Sequence, residues 1–127
     1  GPLLGAEDAH RYLNAWARLP GGEPRLVHLA TDRETDLLLS KHRFRLLLRD
    51  DGIRLVDDED RDVRLGEGVQ RVGREQDNEV VVDNGYRCVS RRHCLVEPVD
   101  HRTLRITDLS SHGTFVAPEA LETPPGA

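Results

Sequence analysis

The strongest indication of the fold is the run Asp108-Leu109-Ser110-Ser111-His112-Gly113-Thr114-Phe115-Val116. Two shorter clusters precede it, Val72-Gly73-Arg74 and Ser90-Arg91-Arg92-His93-Cys94. In all three, an apolar run meets polar, charged or glycine residues, as happens where a β-strand passes into a turn. Because loops at one end of a β-sandwich are where binding residues collect, we take the segment from Gly73 to Val116 as the candidate functional region.

The arginine and serine residues of these clusters suit a phosphate ligand. An Arg guanidinium presents a planar fork of donors, and a Ser hydroxyl with its neighbouring backbone N–H adds two more. A phosphate group carries a charge of about −1.5 to −2 and three acceptor oxygens, so it needs several converging donors. Arg74, Ser90 and Arg91 are therefore predicted to form a phosphate cradle, provided that their loops are neighbours.

The order of these motifs resembles that of the forkhead-associated (FHA) family, whose pattern is Gly-Arg, then Ser-x-x-His, then Asn-Gly with a following Thr. Each motif alone is weak, but the three in order are specific. The resemblance implies an all-β chain that folds as an FHA-like β-sandwich. It also implies a protein-interaction module that binds a phosphothreonine-containing protein or peptide through loops at one end of the sandwich, as part of a signalling or regulatory protein.

The resemblance assigns roles to individual residues of this chain. The predicted phosphopeptide contacts are Arg74, Ser90, Arg91, Ser111 and His112. The residues predicted to hold the loops in shape are Gly73, His93, Gly113 and Thr114. Three further residues lie near the position that often recognises the third residue after the phosphothreonine: Arg87, Cys88 and Arg92.

Two departures from the family pattern matter. His112 stands where the family has the Asn that bonds the peptide backbone, so peptide affinity is expected to be weaker or pH-dependent. The family also has more strands after this motif, whereas a Pro-rich tail follows here. Three explanations are open: strands between Leu26 and Val56 fill the gap by a rearranged topology, the chain is truncated, or a second chain supplies the edge in a homodimer.

Short apolar runs separated by turn residues predict many strands from Pro24 onward. The predicted strands are residues 26–29, 44–49, 53–56, 63–65, 70–72, 79–83, 93–97, 104–107 and 114–116. Asp51-Gly52 predicts a hairpin between the second and third of these strands, because Gly tolerates the positive φ of a tight turn. The run from Asp36 to Ser40 fits either a strand or a helical turn.

The domain organisation follows from the same patterns. Residues 1–5 look like a protease-cleavage scar, and residues 6–22 are predicted to be a short N-terminal helix and its linker. The helix prediction for residues 6–19 rests on an apolar stripe that includes Leu13 and Trp16. The sandwich is predicted to span residues 23–117, and residues 118–127 to form a flexible tail.

Composition excludes several functions. The chain has 127 residues and a net charge of −5, which does not favour nucleic-acid binding. No apolar run is long enough to span a membrane. Two cysteines imply no disulfide framework, which predicts a reducing, cytoplasmic location. The scarcity of aromatic residues predicts an aliphatic core built from Leu and Val.

Catalysis and cofactor binding are alternatives to a binding module. Four residues invite comparison with a hydrolase: Ser90, His93, Asp108 and His112. The chain lacks a Gly-x-Ser-x-Gly turn, so no enzyme is predicted. The spacing of its Cys and His residues matches no structural zinc pattern, so no metal site and no cofactor are predicted. The acidic turn from Asp57 to Asp62 lacks the ligand spacing and the glycine of a calcium loop. The remaining alternative is a phospho-independent assembly module with the same fold.

Overall fold

A computed structural model describes residues 15–121, and within them the chain is almost entirely β-structure. The eleven strands are β1 (Ala17–Arg18), β2 (Arg25–His28), β3 (Thr35–Leu39), β4 (His42–Arg49), β5 (Gly52–Val56), β6 (Asp62–Arg64), β7 (Gln70–Gly73), β8 (Val80–Val81), β9 (Cys94–Asp100), β10 (Thr103–Asp108) and β11 (Thr114–Val116). A 3-10 turn, Pro118–Leu121, follows β11. The predicted all-β class is confirmed.

The strands form two sheets around one core. Sheet A has the order β1-β11-β3-β4-β5-β6, and sheet B has the order β2-β10-β9-β7-β8. Alternation along β10 buries Leu104 and Ile106 completely while Arg105 remains exposed, as expected for a strand with one face toward the core. The core is largely aliphatic and contains residues of both sheets, so the chain is a β-sandwich with the predicted kind of core.

Local turn chemistry accounts for the hairpin between β4 and β5. Arg49 pairs with Gly52 at its end, and Gly52 has a φ of +134°, a conformation that favours glycine. The ambiguous run after Asp36 is also a strand: Leu37, Leu38 and Leu39 are buried in β3, which lies between β11 and β4 in sheet A.

Strands that precede the motif segment in the chain complete the two sheets around it. In sheet A, β11 is paired on both sides, with β1 and with β3. In sheet B, β2 pairs with β10. The expected gap after β11 is therefore filled by a rearranged topology, as the first of the three explanations predicted. Ala17 lies opposite Val116, so the first and last strands are neighbours.

The predicted N-terminal helix is wrong where the structure describes it. Residues 6–14, like the proposed scar at 1–5, lie outside the described residues, but Ala17–Arg18 is a strand. The apolar spacing suited a helix, yet pairing with Phe115 and Val116 satisfies the backbone groups of these two residues in an extended conformation. Tertiary pairing therefore overrides the local pattern, as it often does for short segments.

The start of the predicted tail is ordered against the sandwich. Pro118–Leu121 forms the 3-10 turn, and Ala120 is only 6% exposed within the core cluster. Burial of Ala120 and partial burial of Leu121 explain why this turn packs on the core instead of leaving it. Residues 122–127 lie outside the described part. Between residues 15 and 121 there is no helix of the length and apolarity needed to cross a lipid bilayer.

Candidate functional site

The three motif clusters lie at one end of the sandwich. β7 ends at Gly73 and β9 begins at Cys94, and these two strands are antiparallel neighbours in sheet B. β10 ends at Asp108 beside Cys94, and the chain then crosses to sheet A, where β11 begins at Thr114. The loops that carry the motifs therefore share this end, which we call the binding end.

Ser90 lies between the other two predicted contact loops. Its carbonyl oxygen accepts a hydrogen bond from the backbone N–H of Arg74 (3.3 Å), and its Oγ accepts one from the backbone N–H of Ser111 (3.3 Å). The loops of Arg74, Ser90 and Ser111 thus meet, which is the condition on which the predicted cradle depended. His112 is exposed, and its side chain makes no hydrogen bond within residues 15–121.

His93 joins two of these loops from beneath. Its side chain is fully buried; Nδ1 accepts a hydrogen bond from the backbone N–H of Ser90 (3.0 Å), which leaves Nε2 to donate to the carbonyl of Gly113 (2.9 Å). Both ring nitrogens are therefore used, and the neutral tautomer with its proton on Nε2 satisfies both partners. His93 thus connects the Ser90 loop to Gly113, and its supporting role stays a prediction.

The unfolding free energy should decrease as the pH falls below about 6.5. Burial lowers the pKa of His93 from its usual value, an effect that the hydrogen bond to Gly113 partly opposes. A proton added at Nδ1 would also face the N–H of Ser90. The unfolded chain takes up this proton first, so acid favours unfolding. Urea denaturation at several pH values between about pH 7.5 and about pH 5 measures how the unfolding free energy changes with pH.

Burial lowers the pKa of His42 as well, so His42 is a second source of acid sensitivity and the experiment needs a His42 variant as a control. The variant His42→Gln should retain most of the acid sensitivity if His93 is the main source. If His93→Gln keeps the full pH slope while His42→Gln loses it, the role assigned to His93 is wrong.

Gly73 is required because two backbone segments nearly touch. A Cβ at this position would lie 2.7 Å from the carbonyl carbon of Arg91 and 2.9 Å from Cα of Arg92, and closer still to the carbonyl oxygen of Arg91. These atoms belong to the backbone and cannot rotate away. Gly73 therefore allows the end of β7 to contact the loop that carries Ser90 and Arg91.

The loop from Asp108 to Thr114 is closed on a buried carboxylate. Asp108, which is 2% exposed, accepts hydrogen bonds from Ser110 Oγ (2.6 Å), the Ser110 backbone N–H (3.1 Å) and Thr114 Oγ1 (2.8 Å). Gly113 has a φ of +98° and donates its N–H to Ser110 Oγ (2.8 Å). Gly113 and Thr114 thus take part in the hydrogen bonds that close this loop, and Asp108 already accepts bonds from within it.

Two asparagines that the predicted site omitted hold its parts together. Asn78 is buried, and its Nδ2 donates to the carbonyls of Glu75 (2.9 Å) and Arg91 (2.7 Å), which ties the loop after β7 to the Ser90 loop. Asn84 Oδ1 accepts from Arg74 Nη1 (3.0 Å). The Asn84-Gly85 pair marked a turn in the sequence, but nothing local showed that this turn reaches Arg74.

The Arg74 side chain is oriented by neutral acceptors. Its Nε donates to the carbonyl of Val89 (2.5 Å), and its Nη1 donates to Asn84. Neither acceptor neutralises the guanidinium charge. Among the described residues no carboxylate bonds to Arg74, so its positive charge is retained for a ligand.

An open hollow of about 810 Å³ lies between the loops at the binding end. Its lining residues are Arg74, Glu75, Gln76, Asp77, Asn84, Arg87 and Arg91. Two of the predicted contact residues, Arg74 and Arg91, are thus in its wall, while Ser90 adjoins it through its bond to Arg74. Arg87 faces this hollow too, whereas Arg92 is paired with Asp77 (3.0 Å).

The arginines of the hollow differ from most others in the chain. Eight described arginines form ion pairs with carboxylates: Arg25, Arg43, Arg45, Arg54, Arg61, Arg71, Arg92 and Arg105. Within the described range, Arg74, Arg87 and Arg91 form none. Three cations without carboxylate partners around one hollow form a site suited to an anion.

The residues that invited comparison with a hydrolase or a metal centre have other partners in the structure. The hydroxyl of Ser90 accepts a hydrogen bond from Ser111, and His93 bonds to the backbone of Ser90 instead of to its hydroxyl. In the part of the chain covered by the structure, no group of three or more His, Cys, Asp or Glu side chains is placed to hold a metal ion. Cys88 and Cys94 are free thiols.

Comparison with known families agrees with this geometry. Residues 70–125 match the family model of the FHA domain. The segment that carries the three motif clusters therefore matches an FHA domain. The match covers all three motif clusters, and the FHA domain is a protein-interaction module. Searches of curated proteins and of solved structures gave no significant match.

Proposed function

We propose that this FHA domain binds a phosphothreonine-containing segment of a partner protein at the binding end, and that it does so without catalysis. The observation that carries the proposal is the convergence of Arg74, Ser90 and Arg91, with neither guanidinium bonded to a carboxylate of the described residues. A phosphate dianion would receive charge-assisted hydrogen bonds from both arginines, which are roughly twice as strong as neutral ones.

The acidic residues of the hollow form no ion pair with Arg74 or Arg91 in the described structure. Asp77 is engaged by Arg92, and the described contacts of Glu75 involve its backbone rather than a guanidinium. An anionic ligand therefore displaces no internal ion pair of Arg74 or Arg91. The free energy of binding is then not reduced by the breaking of a salt bridge within the domain.

Titration of a phosphothreonine peptide library tests the proposal, with each peptide also in its unphosphorylated form. Fluorescence anisotropy should detect binding of phosphorylated peptides alone. The affinity should fall as salt rises, because the contacts are made between charges at an open surface. Equal binding of phosphorylated and unphosphorylated peptides would contradict the proposal.

Replacement of Asn84 with alanine should weaken phosphopeptide binding about tenfold, since a hydrogen bond to a charged group contributes about 1.5 kcal/mol or more. The reason is indirect: Asn84 Oδ1 holds Arg74 Nη1, so its loss lets the guanidinium rotate. A double-mutant cycle measures this coupling. In an Arg74→Ala background, Asn84→Ala should have little further effect. Additive losses would show that Asn84 acts independently of Arg74.

Two features favour the alternative, a phospho-independent assembly module: His112 in place of Asn, and the missing strands after the motif segment. The second feature carries little weight, because β11 pairs with β1 and with β3 within the chain. The replacement of Asn by His112 remains as its motive. Light scattering after size exclusion would favour this alternative if it showed a tight dimer that does not respond to phosphopeptides.

A further inference from the structure

The rearranged topology brings two further cations to the binding end from sheet A. The backbone N–H of Leu19 bonds to the carbonyl of Thr114 (2.9 Å), and that of Ser40 bonds to the carbonyl of Gly113 (2.8 Å). Arg18 precedes Leu19, and Lys41 follows Ser40 in the turn between β3 and β4. We call Arg18 and Lys41 the sheet A cations.

Arg18 lies directly against the loop that carries Ser111 and His112. A Cβ at Gly113 would be 3.0 Å from Arg18 Nε. The guanidinium carbon is 5.8 Å from the centre of the Phe115 ring, a cation–π contact that restrains the side chain while leaving it exposed. Within residues 15–121, Arg18 forms no ion pair.

Lys41 is exposed in its turn and also forms no ion pair among the described residues. The turn is tight, because Ser40 has a φ of +58° and its N–H is fixed to Gly113. Asp58 is the carboxylate that acts electrostatically on His42, the residue after Lys41. That carboxylate accepts the hydroxyl of Tyr86.

The other carboxylate close to this loop, Asp108, is buried and already accepts bonds from Ser110 and Thr114. The loop after β10 passes from sheet B to sheet A. Arg74 and Arg91 lie in loops that join strands of sheet B, so the sheet A cations are on the other side of this loop. The chain as a whole has a net charge of −5, so an acidic peptide would be repelled by most of its surface. It would be attracted at the binding end.

We propose that the domain selects phosphothreonine peptides that carry an acidic residue next to the phosphothreonine, and that Arg18 and Lys41 contact this residue. The inference rests on the proposed function, since the phosphate must first place the peptide across the loops. Two exposed charge contacts are expected to favour an acidic neighbour over a neutral one by about threefold to tenfold at moderate salt.

The test uses three phosphothreonine peptides that differ in one neighbouring residue: Glu, Ala or Lys. Anisotropy titration of the wild-type chain should give the highest affinity for the Glu peptide and the lowest for the Lys peptide. The double variant Arg18→Gln, Lys41→Gln should bind the three peptides with nearly equal affinity. Its affinity for the Ala peptide should change little.

A matched control removes two positive charges at the opposite end of the sandwich. Arg33, in the β2–β3 loop, and Arg102, in the β9–β10 turn, are exposed and form no ion pair in the described range. The double variant Arg33→Gln, Arg102→Gln should keep the preference for Glu. Equal wild-type affinities for all three peptides, or an intact preference in the Arg18→Gln, Lys41→Gln variant, would overturn the inference. If no phosphothreonine peptide binds, the proposed function itself fails.

Discussion

Replacement of Arg74 with alanine is expected to reduce phosphothreonine-peptide affinity about a hundredfold. The substitution removes both the positive charge and its hydrogen bonds to the phosphate, and a hydrogen bond to a charged group contributes up to about 3 kcal/mol. Both the backbone and the guanidinium of Arg74 are fixed by hydrogen bonds in the described structure. Its N–H bonds to Ser90, and its guanidinium is held by Val89 and Asn84. This prearranged side chain loses little further entropy when a ligand binds.

Arg71→Gln is the matched control for that measurement. Arg71 lies three residues earlier on β7, but its guanidinium is paired with Glu79 at 2.6 Å and does not line the hollow. Its loss should leave peptide affinity within about twofold of the wild type. Retained affinity in Arg74→Ala, or an equal loss in Arg71→Gln, would remove Arg74 from the site. Circular dichroism of both variants excludes unfolding as the cause.

Gly73→Ala should lower the unfolding free energy by about 3 kcal/mol, the upper part of the range for forced overpacking. The new methyl group would overlap the backbone of Arg91 and Arg92, so β7 and the Ser90 loop would have to separate. That movement would also break the bond from His93 N–H to the carbonyl of Val72 (2.7 Å). Urea denaturation gives the loss directly as a shift of the midpoint.

Gly21→Ala controls for the general effect of replacing glycine in this domain. No atom lies within 4 Å of a Cβ at Gly21, so this substitution should change stability by less than about 1 kcal/mol. Comparable stability of the Gly73→Ala and Gly21→Ala variants would mean that β7 and the Ser90 loop can separate at little cost, contrary to the packing seen here.

Most strands could be predicted from the sequence because their signals are local. The alternation of Leu104 and Ile106 with polar residues, and the Asp51-Gly52 turn, depend only on neighbours in the chain. The prediction of a helix through Ala17 and Arg18 failed for the opposite reason. Their strand exists because β11, almost a hundred residues later, offers backbone partners.

In the candidate site, too, some residues could be predicted from the sequence and others could not. The sequence predicted Arg74, Ser90, Arg91 and Ser111 by their types and order, and the structure brings their loops together. It could not predict Asn84, since the bond to Arg74 joins residues on different loops and leaves no periodic signal.

The all-β class, most strand and turn positions, and the residue types at the motif loops could be predicted from the sequence. Only the tertiary structure decided that strands from the start of the chain pair with β10 and β11, and that Arg18 and Lys41 therefore reach the binding end. The physical reason is that hydrophobic alternation and turn preferences act between near neighbours. Strand pairing, in contrast, depends on which backbone groups and apolar faces remain unsatisfied after the whole chain has collapsed.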